Sequence, residues 1–296
     1  MFIDSFIGYL KVERHYSAHT LRAYRSDLCA FRDYVTRMDE SLSFLETDAD
    51  IVRSWVASLM EAGAAPSSVC RKLSSLRSFF AFVRSNHNAT GNPVENLRGP
   101  KCRKKLPVFI KEDEMDALID DISCGEGYAD VRDRMVLQLF YETGVRLSEL
   151  VGLDVSSVDM QAETIKVSGK RNRERMIPFA QGLKAALGIY LGERERFARS
   201  SSGPLFLSGR GGRITPGYIY RMVNNRLGRV TSVKKKSPHV LRHTFATAML
   251  NNNAELGAVK ELLGHRQLAT TEIYTHLGFE ELKSFYEKAH PRAGKQ

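Results

Sequence analysis

The strongest constraint on this chain is a break near residue 100 that no helix can run through. Asn92-Pro93 and Gly99-Pro100 interrupt helical backbone, the basic residues Lys101, Arg103, Lys104 and Lys105 follow, and Pro107 closes the segment. Punctuation of this density joined to a run of like charge reads as an exposed linker, and a basic linker can also lie along a nucleic-acid backbone. A length of 296 residues gives material for two ordinary domains. The expected organisation is therefore a domain over 1–100, a linker over 101–107 and a second domain over 108–296.

Before the break the pattern is helical. Leu21, Tyr24, Leu28, Phe31 and Tyr34 recur at helical spacing, with Ser17 or Thr20 near the start. Val52, Trp55, Val56 and Leu59 form a second apolar stripe ended by Gly63, and Val69, Leu73, Leu76, Phe79, Phe80 and Val83 form a third behind Pro66. This predicts a small all-α domain. Arg71, Lys72, Arg77 and Arg84 lie on the third helix, where they either face a polyanion or make an ordinary solvated face.

After the break helices dominate again, with one β interlude, so the fold class is mainly α with a small β-sheet, the second domain being α+β. Met115, Leu118, Ile119 and Ile122 mark one helix; Val131 to Tyr141, closed by Gly144, marks another. Thr164–Val167 and Arg175–Ile177 read as two short strands around a polar turn that holds Lys170. Leu205–Leu207 reads as extended. A further helix follows Thr215-Pro216, and Ser237-Pro238 predicts another, with Ser as N-cap and Pro at N1.

Charge narrows the partner. The net charge is +10, and from Arg196 to Ala254 there is no Asp or Glu, while eleven cations fall there, including Lys234, Lys235, Lys236 and Arg242. A solvated face normally mixes signs, so a stretch of one sign favours phosphates as its contact. Cys29, Cys70, Cys102 and Cys124 are scattered through the sequence without a CxxC pair, which fits reduced thiols and neither a disulfide framework nor a zinc site. The N-terminus lacks the basic start and apolar core of a signal peptide, and no apolar run reaches the ~18 residues of a membrane span. The expected location is the cytoplasm, without membrane insertion.

Six residues of the second domain suggest a site for one phosphodiester: Arg146, Lys170, His239, Arg242, His265 and Tyr274. Arg146 follows a helix-ending Gly144, which aims its fork either at two phosphate oxygens or at the nearby Glu149. His239 and Arg242 are three apart and share a helix face, with His239 in the first turn, where the helix dipole favours an anion. His265 follows Gly264 at a helix end and is a candidate ligand or a capping histidine. Tyr274 gains a role only from the phosphate-binding set that precedes it. No metal-ligand cluster accompanies these residues, so no cofactor or metal is expected.

Four segments carry a resemblance: Thr143–Leu150, Pro238–Ala246, Leu262–His265 and Ile273–His276 resemble the signature boxes of the lambda-integrase-like tyrosine recombinase family. The N-terminal part is similar to that family's SAM-like helical DNA-binding domain, and the ending His290-Pro291-Arg292-Ala293 resembles the Xer branch. The resemblance implies that Arg146 and Arg242 grip the scissile phosphate, His239 serves as acid–base, and His265 bonds a phosphate oxygen. It further implies that Lys170 protonates the leaving 5′ oxygen and that Tyr274 attacks. The turn departs from the family's Gly-Lys-Gly in reading Gly169-Lys170-Arg171, and Ala248 stands where relatives often carry histidine. The implied function is site-specific cutting and rejoining of double-stranded DNA through a 3′-phosphotyrosine, with Xer-type chromosome dimer resolution as the role. A mobile-element integrase and a type IB relaxing enzyme are the alternatives. The implied partners are a specific DNA site, a tetramer of this or a paralogous recombinase, and a septal DNA translocase. The apolar stripe over Phe279–Ala289 either folds back on its own domain or docks on a neighbouring protomer, as the family suggests.

Overall fold

The computed structural model describes residues 2–87, 91–102, 108–120, 125, 127–169, 174–264 and 279–293. The chain divides into two compact units, Met1–Lys105 and Leu106–Gln296. It is mostly helical with one small antiparallel sheet.

Unit 1 consists of α1 (Phe2–Val12), α2 (Ala18–Met38), α3 (Ala49–Glu61) and α4 (Pro66–His87). Side-chain oxygens start two of these helices: Ser17 accepts from the Thr20 N–H at α2, and Asp48 accepts from the Asp50 and Ile51 N–H groups at α3. The apolar stripes meet in an aromatic core, with the Phe31 and Trp55 rings 4.9 Å apart and Phe6 set edge-on to Phe79 at 5.5 Å. Helix α1, absent from the periodicity reading, contributes Ile3, Phe6 and Leu10 to that core.

Several cations of unit 1 are committed inside it. Asp27 is 1% exposed, and a buried carboxylate needs partners. Arg71 pairs with it, Lys72 lies 3.3 Å away, and the Ser75 hydroxyl donates to it at 2.8 Å. Arg77 donates to the Leu97 and Val94 carbonyls at 2.9 and 3.3 Å, and Arg84 pairs with Glu95 at 3.3 Å. All four cations, for which the sequence left open a polyanion or an ordinary solvated face, thus hold intramolecular partners. Lys101 is exposed; Arg103, Lys104 and Lys105 lie outside the described residues. Cys70 and Cys102, far apart in sequence, bring their sulfurs to 3.5 Å.

Unit 2 begins with α5 (Glu112–Ile119), α6 (Tyr128–Thr143) and α7 (Leu147–Gly152). Helix α5 stops short of the Ile122 expected from sequence, and Ile122 lies outside the described residues. A three-stranded sheet follows: β1 (Val158–Asp159), β2 (Thr164–Ser168) and β3 (Glu174–Pro178) in the order β1-β2-β3, with Ile165 opposite Ile177 and Val167 opposite Arg175. Side chains alternate across a strand, so Arg175 shares the inner face with Ile177 while Met176 faces outward, 41% exposed. Then come α8 (Gln181–Ala198), α9 (Pro216–Val230), α10 (Pro238–Asn251), α11 (Leu256–Leu263) and α12 (Phe279–Ala289). Ser237 does sit at the N-cap of α10, with Pro238 behind it. Its hydroxyl is buried and makes no capping bond, so the cap geometry comes from backbone and proline alone.

In this single chain α12 seats on its own unit. Leu282, Tyr286 and Ala289 are buried, and Lys283 pairs with Glu163 at 2.7 Å. Beyond the helix, the buried His290 ring lies against the Tyr141 carbonyl at 3.2 Å, and Arg292 pairs with Asp116 at 2.9 Å and Asp120 at 2.8 Å. Among the described residues no helix is long and apolar enough to cross a membrane.

Candidate active site

The site grows from the place where α6 must stop. Gly144 ends α6 with φ +59°, a conformation that side chains with a Cβ resist. A Cβ there would meet the Phe245 ring at 2.5 Å and Leu263 at 2.9 Å. The glycine thus lets α6, α10 and α11 close on one another, and it delivers Arg146 two residues later to the N-cap of α7.

Of the two partners open to Arg146 from the sequence, the structure shows Glu149, and it adds a backbone carbonyl. Its Nη1 donates to Glu149 at 2.6 Å, and its backbone N–H donates to the other carboxylate oxygen at 2.8 Å. Its Nη2 donates to the Gly264 carbonyl at 2.9 Å, and the side chain stays 36% exposed. Arg242 comes from α10 and is 8% exposed; it donates to the Gly144 carbonyl and, at 2.6 Å, to the Leu263 carbonyl. Burial, then the nearby Arg146 charge, lowers its pKa to about 10, which leaves it cationic at neutral pH. His239 lies one turn earlier on the same helix and is exposed, so this face of α10 runs from solvent at the imidazole to the interior at the guanidinium.

Two members of the cluster were not singled out from sequence. Glu149 appeared only as a possible partner for Arg146, and Arg175 only as a strand residue. Arg175 donates to both oxygens of Glu149, at 2.8 and 2.9 Å, and its Nε donates to the Leu262 carbonyl at 3.0 Å. Burial would raise the Glu149 pKa, but the hydrogen bonds from Arg175 and Arg146 outweigh it and hold the carboxyl at about 2. The last carbonyls of a helix have no internal partners and carry its negative dipole. At the end of α11, three consecutive carbonyls, Leu262, Leu263 and Gly264, each receive an arginine, from β3, α10 and the start of α7. Three guanidiniums against one carboxylate leave a net charge of two positives around a partly open Arg146, a setting for an anion with two oxygens to bind. Lys170, His265 and Tyr274 lie outside the described residues.

The acid-free stretch is only partly a free cationic surface. Arg226 pairs with Asp130 at 3.2 Å, Arg213 with Asp154 at 2.6 Å and Arg196 with Glu193 at 2.5 Å, all acids outside the stretch. Arg199, Arg210, Arg221, Arg229, Lys234 and Lys235 are exposed, and Lys236 is half-buried with its carbonyl accepting from Asn224 at 3.0 Å.

Comparisons with known proteins identify the family and the fold. The Phage integrase family pattern matches residues 108–281, and the pattern described as Phage integrase, N-terminal SAM-like domain matches residues 3–87. The chain is 39% identical to the tyrosine recombinase XerC of Oceanobacillus iheyensis, over 99% of this chain and 97% of that one. It is 35% identical to the tyrosine recombinase XerC of Chlorobaculum tepidum, over 98% and 94%. Among solved structures, the XerH site-specific recombinase in a post-cleavage complex with difH substrate has the same fold, with TM-score 0.70, 23% identity, and 96% and 84% of the two chains covered. The XerA recombinase crystal structure matches with TM-score 0.50 and 29% identity over 98% of both chains.

Proposed function

Because the chain belongs to the phage integrase family, whose pattern spans its second unit, we propose that it is a site-specific tyrosine recombinase of the Xer type, acting in chromosome dimer resolution. The observation that carries this reading is the convergence of Arg146 and Arg242 on adjacent carbonyls at the end of α11, with His239 one turn along α10.

The chemistry follows from these groups. The Tyr274 phenol oxygen attacks a backbone phosphorus, and the bond to the 5′ oxygen breaks. A phenol is a weak nucleophile near neutral pH until a base takes its proton, a role that falls to His239. Charge builds on the nonbridging oxygens, where the Arg146 fork and the Arg242 charge stabilise it. His265 adds a hydrogen bond, and Lys170 gives the leaving alkoxide its proton. The products are a 3′-phosphotyrosine ester and a free 5′ hydroxyl. The ester keeps the energy of the broken bond, so a 5′ hydroxyl from another strand reverses the step without a nucleotide cofactor.

Strand exchange between two duplexes needs several such sites at once, which supports a tetramer of this chain, alone or with a paralogous recombinase. The cis seat of α12 would then be traded for one on a neighbour. A septal DNA translocase is the expected activator of an Xer-type pair. The exposed cations from Arg199 to Lys235 supply phosphate contacts for double-stranded DNA. The test is to incubate the full chain with sheared chromosomal DNA of its source, recover covalently attached strands and sequence them. A single recurring site that also recombines between two copies on a plasmid is expected. Attachment at unrelated sequences, or relaxation of one circle without exchange, would refute the proposal.

A further inference from the structure

The Glu149 carboxylate raises a difficulty for a phosphate clamp, because it puts a buried negative charge directly against Arg146. Left to itself, a carboxylate closes on a guanidinium as a two-point fork and cancels its charge. Here it does not. A carboxylate offers about four acceptor positions, and all are filled. One oxygen takes Arg146 Nη1 and Arg175 Nη1; the other takes the Arg146 backbone N–H and Arg175 Nη2. Arg146 is thereby limited to a single side-chain contact with Glu149, and its second Nη is turned to the Gly264 carbonyl.

We infer that Arg175 is a positioning residue of the phosphate clamp: it neutralises and saturates Glu149 so that Arg146 keeps its charge for the scissile phosphate, and it ties strand β3 to the end of α11. The inference rests on the recombinase reading. Arg175 does not touch substrate itself, since its Nε and both Nη groups are directed at Glu149 and Leu262 and its side chain is only 16% exposed. The strand places it by alternation on the inner face opposite Val167, in the hairpin whose connecting segment carries Lys170. One guanidinium therefore links three elements: β3, the first turn of α7, and the carbonyl end of α11 just before His265. Arg175 also adds to the positive surroundings of Arg242, where its charge helps lower that pKa. Without it, two acceptor positions of Glu149 open toward Arg146, and the clamp's net charge drops from two positives to one.

The experiment measures single-turnover covalent attachment of the full-length protein to a nicked duplex of the site recovered as above, alongside DNA affinity and the thermal midpoint. Arg175→Gln is expected to slow attachment about 10- to 100-fold, less than the roughly 100- to 1000-fold lost with a direct transition-state donor because Arg175 acts through Arg146, while half-saturating DNA concentration moves less than about 3-fold. Arg175→Lys should recover part of the rate. The decisive variant is Arg175→Gln combined with Glu149→Gln: removal of the carboxylate that closes on Arg146 should make the double variant faster than Arg175→Gln alone. A double variant as slow as the single one or slower, or an Arg175→Gln rate equal to wild type, overturns the inference. So does a fall in DNA affinity that matches the fall in rate. An absent adduct in wild type, by contrast, would overturn the recombinase reading itself.

Discussion

Replacing Gly144 with alanine tests how the clamp is built, because one atom added at the end of α6 strikes α10 and α11 at once. The backbone stays at φ +59°, which costs a residue with a Cβ about 1–2 kcal/mol. The new Cβ also falls 2.5 Å from the Phe245 ring and 2.9 Å from Leu263. Both are buried, so neither swings aside freely, and overpacking of this kind adds about 1–3 kcal/mol. The total is about 2–5 kcal/mol. Gly211→Ala is the matched control: it lies in the same unit with φ +81° but has nothing within 4 Å of the added Cβ, so only the backbone term of about 1–2 kcal/mol applies. Trp55, the one tryptophan, lies in unit 1, so far-UV circular dichroism is the suitable readout of unit 2. At about 2–4 °C per kcal/mol, Gly144→Ala should melt clearly below Gly211→Ala. The Gly144 carbonyl also holds Arg242, so Gly144→Ala should slow DNA attachment while Gly211→Ala leaves it unchanged. Equal melting losses for the two variants would refute the close-packing argument.

Other outcomes follow from the same contacts. Burial raises the Glu142 pKa to about 7 from 4.5, so its contribution to stability is complete below pH 4.5 and fades as pH rises through 7; burial lowers His290 to about 4 from 6.5, so its contribution is complete above pH 6.5 and fades as pH falls through 4. The two slopes oppose each other between pH 4.5 and 6.5. Glu142→Gln should therefore leave a stability that climbs with pH across that window, and at pH 8 it should exceed wild type by about 3 kcal/mol at most; a profile parallel to wild type would contradict this. Arg292→Ala removes the pairs to Asp116 and Asp120 and should speed tryptic cleavage at Lys288, read by mass, whereas an unchanged rate would show that the pairs do not hold the tail. DNA affinity should fall steeply with salt, and Lys235→Ala should reduce the slope of log K against log salt by about one while Arg213→Ala, already paired with Asp154, leaves it alone. Equal effects of the two substitutions would contradict the assignment of exposed cations.

What the sequence revealed and what it hid divide along a physical line. Features set by neighbours in the chain were legible. The stripe from Val69 to Val83 became α4, Gly144 closed α6, and the β2–β3 pair fell where β-branched residues flank a polar turn. Features set by tertiary convergence were not. Asp27 claims Arg71 and Lys72 from more than forty residues away. Asp130 and Asp154 neutralise part of a stretch that holds no acid of its own. Arg175 reads in sequence as the polar first residue of a short strand; only the fold sets it against Glu149 and the end of α11. Helix α1 escaped because its three core residues, Ile3, Phe6 and Leu10, sit in a short segment that shows barely two turns of periodicity.

The most direct test of the whole account is to trap the protein on a nicked duplex of its own site, digest the complex and identify by mass spectrometry the peptide that carries the nucleotide. The predicted result is a 3′-phosphate ester on Tyr274, lost in Tyr274→Phe while that variant still binds the duplex. An adduct on any other residue, or one that persists in Tyr274→Phe, would contradict the account.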